Sequence, residues 1–380
     1  MSDGVYSADK AAAFPDRLAS LREGKQPAPV HLHLILSDLC NLDCPGCAYR
    51  MSGYSSNQHF NVIQPDGSSN HNPNRMLATP LVLQTLAEFR SMGGKSVEFT
   101  GGGEPTLHPD FAMIVDFAQK LGLKTAVITN GILLRKRLPP ALLAKLDWLR
   151  ISIDAGTAIT FGKVRPGLGG PRGEQIDVVW DALAWARSVV RDNADSKCIV
   201  GAGFVVQESN WPEIVLFTRR ALVYGAHNVR ISGLFTPEKD AYYEGWRERA
   251  EEQEREAVRL YDSPDFRVHG RLAEKIADLQ ARPDYSFCGY ENFTTYMGGD
   301  GNLYRCCVTS YNDLGLIGNV EAAGGFRALW ESERKRDLFG TFDARSCTQC
   351  QFNDRNRAIE RLVKLGTPSG RVPQLHDEFI

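Results

Sequence analysis

The chain has 380 residues, with 44 basic against 46 acidic side chains and a formal charge of −2, so no overall field draws it to nucleic acid or an anionic bilayer. Its length predicts one large domain plus a smaller one. No run approaches the ~20 apolar residues of a membrane span, and Met1 to Pro29 lacks the apolar core of a secretory signal. Nine cysteines, most of them at short spacings, predict a reducing cytoplasm and metal ligation in place of a disulfide framework.

From His31 to Phe235, β-rich runs alternate with helical ones. Strands are predicted at His31–Leu36, Ser96–Thr100, Lys124–Thr129, Leu149–Asp154, Ile199–Val206 and Asn228–Gly233. Helices are predicted at Pro80–Met92, Pro109–Leu121, Pro139–Leu146, Gln175–Val190 and Trp211–Tyr224, several opening on proline and closing near Gly93, Gly122 or Gly225. This alternation predicts an α/β fold, a parallel sheet closed or nearly closed with helices outside. In such barrels the active site lies at the carboxyl ends of the strands. Cys40-Asn-Leu-Asp-Cys44-Pro-Gly-Cys47 follows the first strand, Gly101-Gly102-Gly103-Glu104 the second and Asn130 the third.

Three thiolates spaced C-x3-C-x2-C can hold three corners of a cubane iron–sulfur cluster and leave the fourth iron open. Structural zinc takes four ligands, and the nearest histidines, His33 and His59, are not at ligand spacing. A disulfide would leave one cysteine over. The Asn-, Ser- and Gly-rich insertion Met51–Met76 emerges on the same face. Loops of this length in compact domains are commonly functional or disordered, so a substrate lid is expected, with Tyr54, His59, His71 and Arg75 as its contacts. Pro237–Arg282 reads as a helical connector around Tyr242–Tyr261, with Glu251 and Arg255 one turn apart. A hairpin follows, Asn292–Met297 and Gly301–Val308 around Gly298-Gly299-Asp300-Gly301. Then come a helical pattern at Phe326–Phe339 and Cys347-Thr-Gln-Cys350. Cys198 reads as a small buried hydrophobe.

Cys40-x3-Cys44-x2-Cys47 followed by Gly101-Gly-Gly-Glu104-Pro105, with Ile128-Thr-Asn130-Gly and Ile151-Ser152-Ile-Asp154 at the next strand ends, resembles the radical S-adenosylmethionine (radical SAM) superfamily. The resemblance covers roughly Val30 to Phe235. It implies a partial (β/α)6 TIM-like barrel in which the three thiolates bind a [4Fe–4S] cluster whose open iron chelates SAM. Reductive cleavage of SAM would then give a 5′-deoxyadenosyl radical that abstracts hydrogen from a substrate carbon. The resemblance implies Gly101, Gly102, Gly103 and Glu104 beside the methionine portion of SAM, and Ser152 and Asp154 at its ribose. Arg165 would meet the SAM carboxylate, with Asn130 and Tyr49 as further contacts. The family usually places an aromatic residue just before the third cysteine, near the adenine. Gly46 stands there, and Tyr49 or Tyr54 is the expected replacement. A reductase such as flavodoxin or ferredoxin is the implied electron source.

Cys288-x12-Gly301-x4-Cys306, then Cys347-x2-Cys350, resembles the shortened SPASM module called twitch. That resemblance implies a small C-terminal α+β domain with an auxiliary [4Fe–4S] cluster on Cys288, Cys306, Cys347 and Cys350. A four-cysteine zinc site is the alternative, and Cys307 is an alternate ligand to Cys306. The expected division is an N-terminal extension at 1–28, the barrel at 29–236 with its insertion at 51–76, a connector at 237–283, the twitch-like domain at 284–355 and a tail at 356–380. The expected activity is hydrogen abstraction with oxidation or rearrangement of a small molecule, with a nucleoside or nucleic-acid base, or a peptide, as the alternative substrates. The Cys47–Tyr54 segment also resembles radical SAM proteins of phage-like origin, which raises a DNA base. The ~28 residues before the first strand argue against a peptide maturase's leader-binding domain. The ending Asp377-Glu-Phe-Ile380, without Gly-Gly, argues against the first enzyme of molybdopterin synthesis. A non-catalytic iron–sulfur or zinc protein is the other class, and the Gly101–Glu104 turn speaks against it, because a carrier needs no SAM site. Tyr296, Asp300 and Glu98 are the candidate acids or bases.

Overall fold

The computed structural model describes residues 6–51, 58–60, 62–63, 69–70, 73–366 and 373–380. Its main sheet has ten strands: β1 His31–Ile35, β2 Ser96–Thr100, β3 Lys124–Thr129, β4 Trp148–Ser152, β5 Ile199–Val206, β6 Asn228–Gly233, β7 Arg267–Arg271, β8 Thr294–Met297, β9 Asn302–Tyr304 and β10 Leu316–Asn319. Their spatial order is β10-β9-β8-β1-β2-β3-β4-β5-β6-β7. Strands β8 and β1 through β7 run parallel, while β9 and β10 return antiparallel.

Successive side chains on a strand point to opposite faces, and here the two faces differ in chemistry. Leu32, Leu34, Val97, Phe99, Val200 and Ala202 join one core with the helices outside, among them Val82, Leu86 and Phe89 of helix Thr79–Ser91 and Ile114 and Val115 of helix Phe111–Lys120. On the other face His31, His33, Glu98, Arg150, Gly201, Arg230 and Tyr296 line a single cavity. The sheet therefore curls around a polar lumen, a partial TIM-like barrel with its edges at β10 and β7.

The six expected strands form within two residues of their predicted ends. Strand β4 stops at Ser152, which leaves Asp154 beyond it with φ 59°. The helix expected at Pro139–Leu146 is shorter, Pro140–Leu143. The stretch read as a helical connector also holds β7, whose Arg-Val-His-Gly-Arg sequence carries one apolar residue and so no legible alternation. Strand β8 pairs in parallel with β1, His31 opposite Thr294 and His33 opposite Tyr296, so the distal cysteine segment continues the barrel sheet. Helix Asn353–Leu365 lies within the stretch expected as twitch-like domain and tail. It packs Ile359 and Leu362 against Phe14 and Leu18 of the N-terminal segment.

Residues 376–380 close the far end of the lumen. Lys10 Nζ donates to the carbonyls of His376 (2.9 Å) and Phe379 (2.8 Å), and Phe379 meets His31 and Trp148 edge-on. Among the described residues no helix is long and apolar enough to cross a membrane.

Candidate active site

The loop after β1 carries Cys40, Cys44 and Cys47, and the glycine turn after β2 docks directly onto it. Gly103 N–H donates to the Ser37 carbonyl (2.9 Å) and Glu104 N–H to the Leu39 carbonyl (2.9 Å). A Cβ on Gly103 would stand 2.0 Å from the Leu39 carbonyl oxygen, and one on Gly102 would stand 2.7 Å from Asp38 Oδ1. At these two positions, then, the absence of side chains serves the close approach of loop to loop. The cysteine loop turns on itself through Cys47 N–H to the Cys44 carbonyl (3.1 Å), and Arg50 Nη1 braces the Leu42 carbonyl (2.7 Å). Burial pushes the Cys40 thiol up to about 11, with the Glu104 charge adding to it. Burial pushes Cys44 up to about 12, against the pull of Arg165.

Glu104 is buried and its carboxylate is already engaged. Oε1 accepts from Thr106 N–H (3.1 Å), Thr106 Oγ1 (2.6 Å) and Thr129 Oγ1 (2.6 Å), while Oε2 accepts from Asn130 N–H (2.8 Å). It ties the end of β2 to the end of β3. Asn130 extends the tie, its Nδ2 donating to Asn41 Oδ1 inside the cysteine loop (2.7 Å). Asp154 and Arg165, expected at the ribose and carboxylate of SAM, form a buried ion pair with each other. Asp154 Oδ1 also accepts Val205 N–H (2.7 Å). Arg165 Nε is buried with no partner among the described residues, and that donor remains open to an anion. Ser152 caps β4 on the lumen face.

Tyr49 packs against Phe60 and Tyr311, a cluster that also holds Tyr296 and Tyr304. The space beside Gly46 belongs instead to Gln207, whose Oε1 would lie 2.8 Å from an added Cβ. An amide at the end of β5 thus occupies the neighbourhood where the family places a ring. Within the insertion, His59 Nε2 meets Asp313 (2.8 Å), and Arg75 Nε binds Asp38 (2.7 Å), which also accepts from Tyr311. The described part of the insertion is therefore seated on residues 311–313. Tyr54 and His71 lie outside the described residues. Of the candidate acids and bases, Glu98 and Tyr296 face the lumen, while Asp300 binds Asn302 and Tyr304.

Cys288, Cys306, Cys347 and Cys350 open into one small cavity. Burial raises all four thiols, Cys347 to about 12 and Cys350 to about 11. Cys307 points elsewhere, into the lumen, and accepts from Gln351 Nε2 (2.6 Å). Only His31, His33 and Glu98 form a set of three metal-binding side chains with all ligand atoms within 4.8 Å, among the described residues. A single zinc with Zn–S near 2.3 Å would hold its sulfurs about 3.8 Å apart. No three sulfurs of either cysteine set lie within 4.8 Å of one another among the described residues, which suits a four-iron cluster whose thiolates bind separate irons. The stacked rings of Tyr290 and Phe352, 3.9 Å between centroids, border both the distal cavity and the lumen.

Residues 34–217 match the Radical SAM superfamily. These residues form a radical SAM domain. Mycofactocin maturase MftC of Mycolicibacterium smegmatis is 27% identical over 351 residues, 90% of this chain and 80% of its own. An S-adenosylmethionine-dependent nucleotide dehydratase of Selenomonas ruminantium is 54% identical over 56 residues, 14% of this chain and 20% of its own. The crystal structure of Streptococcus suis SuiB bound to precursor peptide SuiA has TM-score 0.58 at 16% identity, over 89% of this chain and 73% of that one, a likeness of fold. Radical SAM enzymes use a [4Fe–4S] cluster and SAM, and this chain is such an enzyme. Sequence reading missed Gln207 and the lumen residues Arg150 and Arg230. The one available signal was polar residues or glycine at alternate positions, as in Trp148-Leu-Arg150-Ile-Ser152 and Gly201-Ala-Gly203.

Proposed function

We propose that this radical SAM enzyme holds two clusters, one on Cys40, Cys44 and Cys47 and one on Cys288, Cys306, Cys347 and Cys350, and oxidises a substrate held in the barrel lumen. The observation that carries this reading is the shared wall: Tyr290 and Phe352 border both the lumen and the distal cysteine cavity. Cys40, Cys44 and Cys47 would hold the first cluster, which would supply a one-electron reductant for SAM, and Cys288, Cys306, Cys347 and Cys350 would hold the second, which would supply an electron acceptor. The chain's own residues do the positioning. Gly102 and Gly103 let the glycine turn seat on the cysteine loop, Glu104 fixes the ends of β2 and β3, and Arg165 Nε presents a buried donor to the SAM carboxylate. Ser152 stands at the mouth of the lumen for the ribose, and Gln207 offers an amide to the adenine.

The extent of the likeness to the maturase MftC favours a second reading, in which the oxidised group is a peptide side chain reaching into the lumen. Anaerobic reconstitution with iron, sulfide, dithionite and SAM tests the common core. Formation of 5′-deoxyadenosine is expected, and iron in the Cys288→Ala/Cys350→Ala double variant should fall from about eight to about four per chain. Intact SAM with both clusters assembled would leave an electron carrier instead.

A further inference from the structure

The lumen floor is lined with arginines that rest on aromatic rings but have no anionic partner in an ion pair among the described residues: Arg150 over Trp148, Arg230 over Tyr6 and Arg355 over Tyr290 and Phe352. Arg150 on β4, Arg230 on β6 and Arg355 all border it, and none makes an ion pair or hydrogen bond among the described residues. Arg230 Nε is buried with no partner. Burial, then Arg150, Arg271 and Arg355, pulls Arg230 down to about 10. Arg271 differs, being paired with Glu274. Lys10 stands at the same floor, held only by backbone carbonyls.

A buried guanidinium nitrogen without a partner, as at Arg230, is costly. Glu98 shares the lumen and its carboxylate is stabilised in part by Arg150, and the geometry gives the three arginines a common target. Strand β5 lies between β4 and β6, with Gly201 opposite Arg150 and Asn228, and Gly203 opposite Ser152 and Arg230. The missing side chain at Gly203 lets the Arg150 stem lie across β5, its Cδ 3.6 Å from where a Cβ would stand, while Asn228 occupies the space beside Gly201. Arg150 is two residues before Ser152 on the same face, so its Cα lies about 6.6 Å below it along the strand. An anion on the floor would therefore hang beneath the place proposed for the SAM ribose.

We propose that the lumen binds a phosphate-bearing small molecule by its anionic end, on Arg150, Arg230 and Arg355 with Lys10 behind them. This inference rests on the lumen being the substrate chamber. A single carboxylate balances one guanidinium, whereas a phosphate or pyrophosphate brings two or more charges and acceptor oxygens for several forks at once. His376, Phe379 and Ile380 line the floor, so the anion sits beside them and the rest of the molecule points up toward the cysteine loop.

Calorimetric titration of the reconstituted wild-type protein with pyrophosphate in ~0.15 M salt should give saturable binding at one site per chain. Arg150→Gln and Arg230→Gln should each weaken it at least ten-fold. Gly203→Ala adds a Cβ with no neighbour nearer than 3.6 Å, so it keeps the fold while narrowing the floor, and should weaken binding several-fold. No saturable binding to wild type overturns the inference, as does binding indifferent to all three substitutions. Tricarballylate or a Glu-rich peptide binding tighter than pyrophosphate would reassign the floor to carboxylates. Assay of 5′-deoxyadenosine in the same preparation keeps the two readings apart. Pyrophosphate binding without SAM cleavage would sink the enzymatic reading and spare the site, and cleavage without binding would do the reverse.

Discussion

Glu104 shows how a residue read as a ligand contact can already be committed to its own fold. Its four donors leave little acceptor capacity for SAM. Glu104→Gln would turn an amide donor on one of them, and an unsatisfied buried group costs ~1–3 kcal/mol. Chemical denaturation should register a loss of that size. Asp38 gives a pH-dependent counterpart. Burial raises its carboxyl from 3.8 to about 6, with Arg75 and Tyr311 opposing. The folded value lies above the unfolded one, so the fold favours protonated Asp38 and loses stability as pH rises from about 4 through 6. Arg75 offsets that loss. Arg75→Met should therefore destabilise by about 2–3 kcal/mol more at pH 8 than at pH 4. Melting curves of the variant and wild type across that window check it, and a pH-independent difference would contradict the pairing.

At the scale of elements, the docking of the glycine turn on the cysteine loop is the joint on which the first cluster site depends. Gly103→Ala would drive a methyl into the Leu39 carbonyl. The expected outcome is a fold that survives with iron and sulfide reduced by about half, read by metal analysis. The six strands from β1 to β6 were legible because each carries apolar residues at alternate positions or a continuous apolar run. Strand β7 was not, having only Val268 to signal it. The pairing of β8 with β1 joins residues more than 250 positions apart, and nothing local in either segment specifies it. The cysteines were legible from spacing alone. Their partners were not, because which groups Glu104, Asp154 and Arg165 meet is decided by loops brought together from different strands.

For the molecule as a whole, the first and last described segments of the chain meet at the lumen floor. Lys10 clamps the carbonyls of His376 and Phe379, and burial, with Arg355 adding to it, lowers Lys10 to about 7. Lys10→Met removes the clamp and keeps most of the stem. Hydrogen exchange at residues 376–380 should rise by one to two orders of magnitude, since each lost buried hydrogen bond is worth ~1 kcal/mol. Protection equal to wild type would show that the segment is held without Lys10, by Phe379 and by the hydrogen bonds of Ser96 to the Glu378 carbonyl and of His31 to the Ile380 carbonyl. The glycines of β5 have a consequence of a different kind. Gly203 can accept a methyl without collision, whereas at Gly201 a methyl would strike Asn228 Oδ1 at 2.3 Å. One position is thus a graduated spacer and its neighbour a fixed stop, so substitutions at Gly203 alone could rank substrates by girth while the scaffold and both cysteine sets stay as they are.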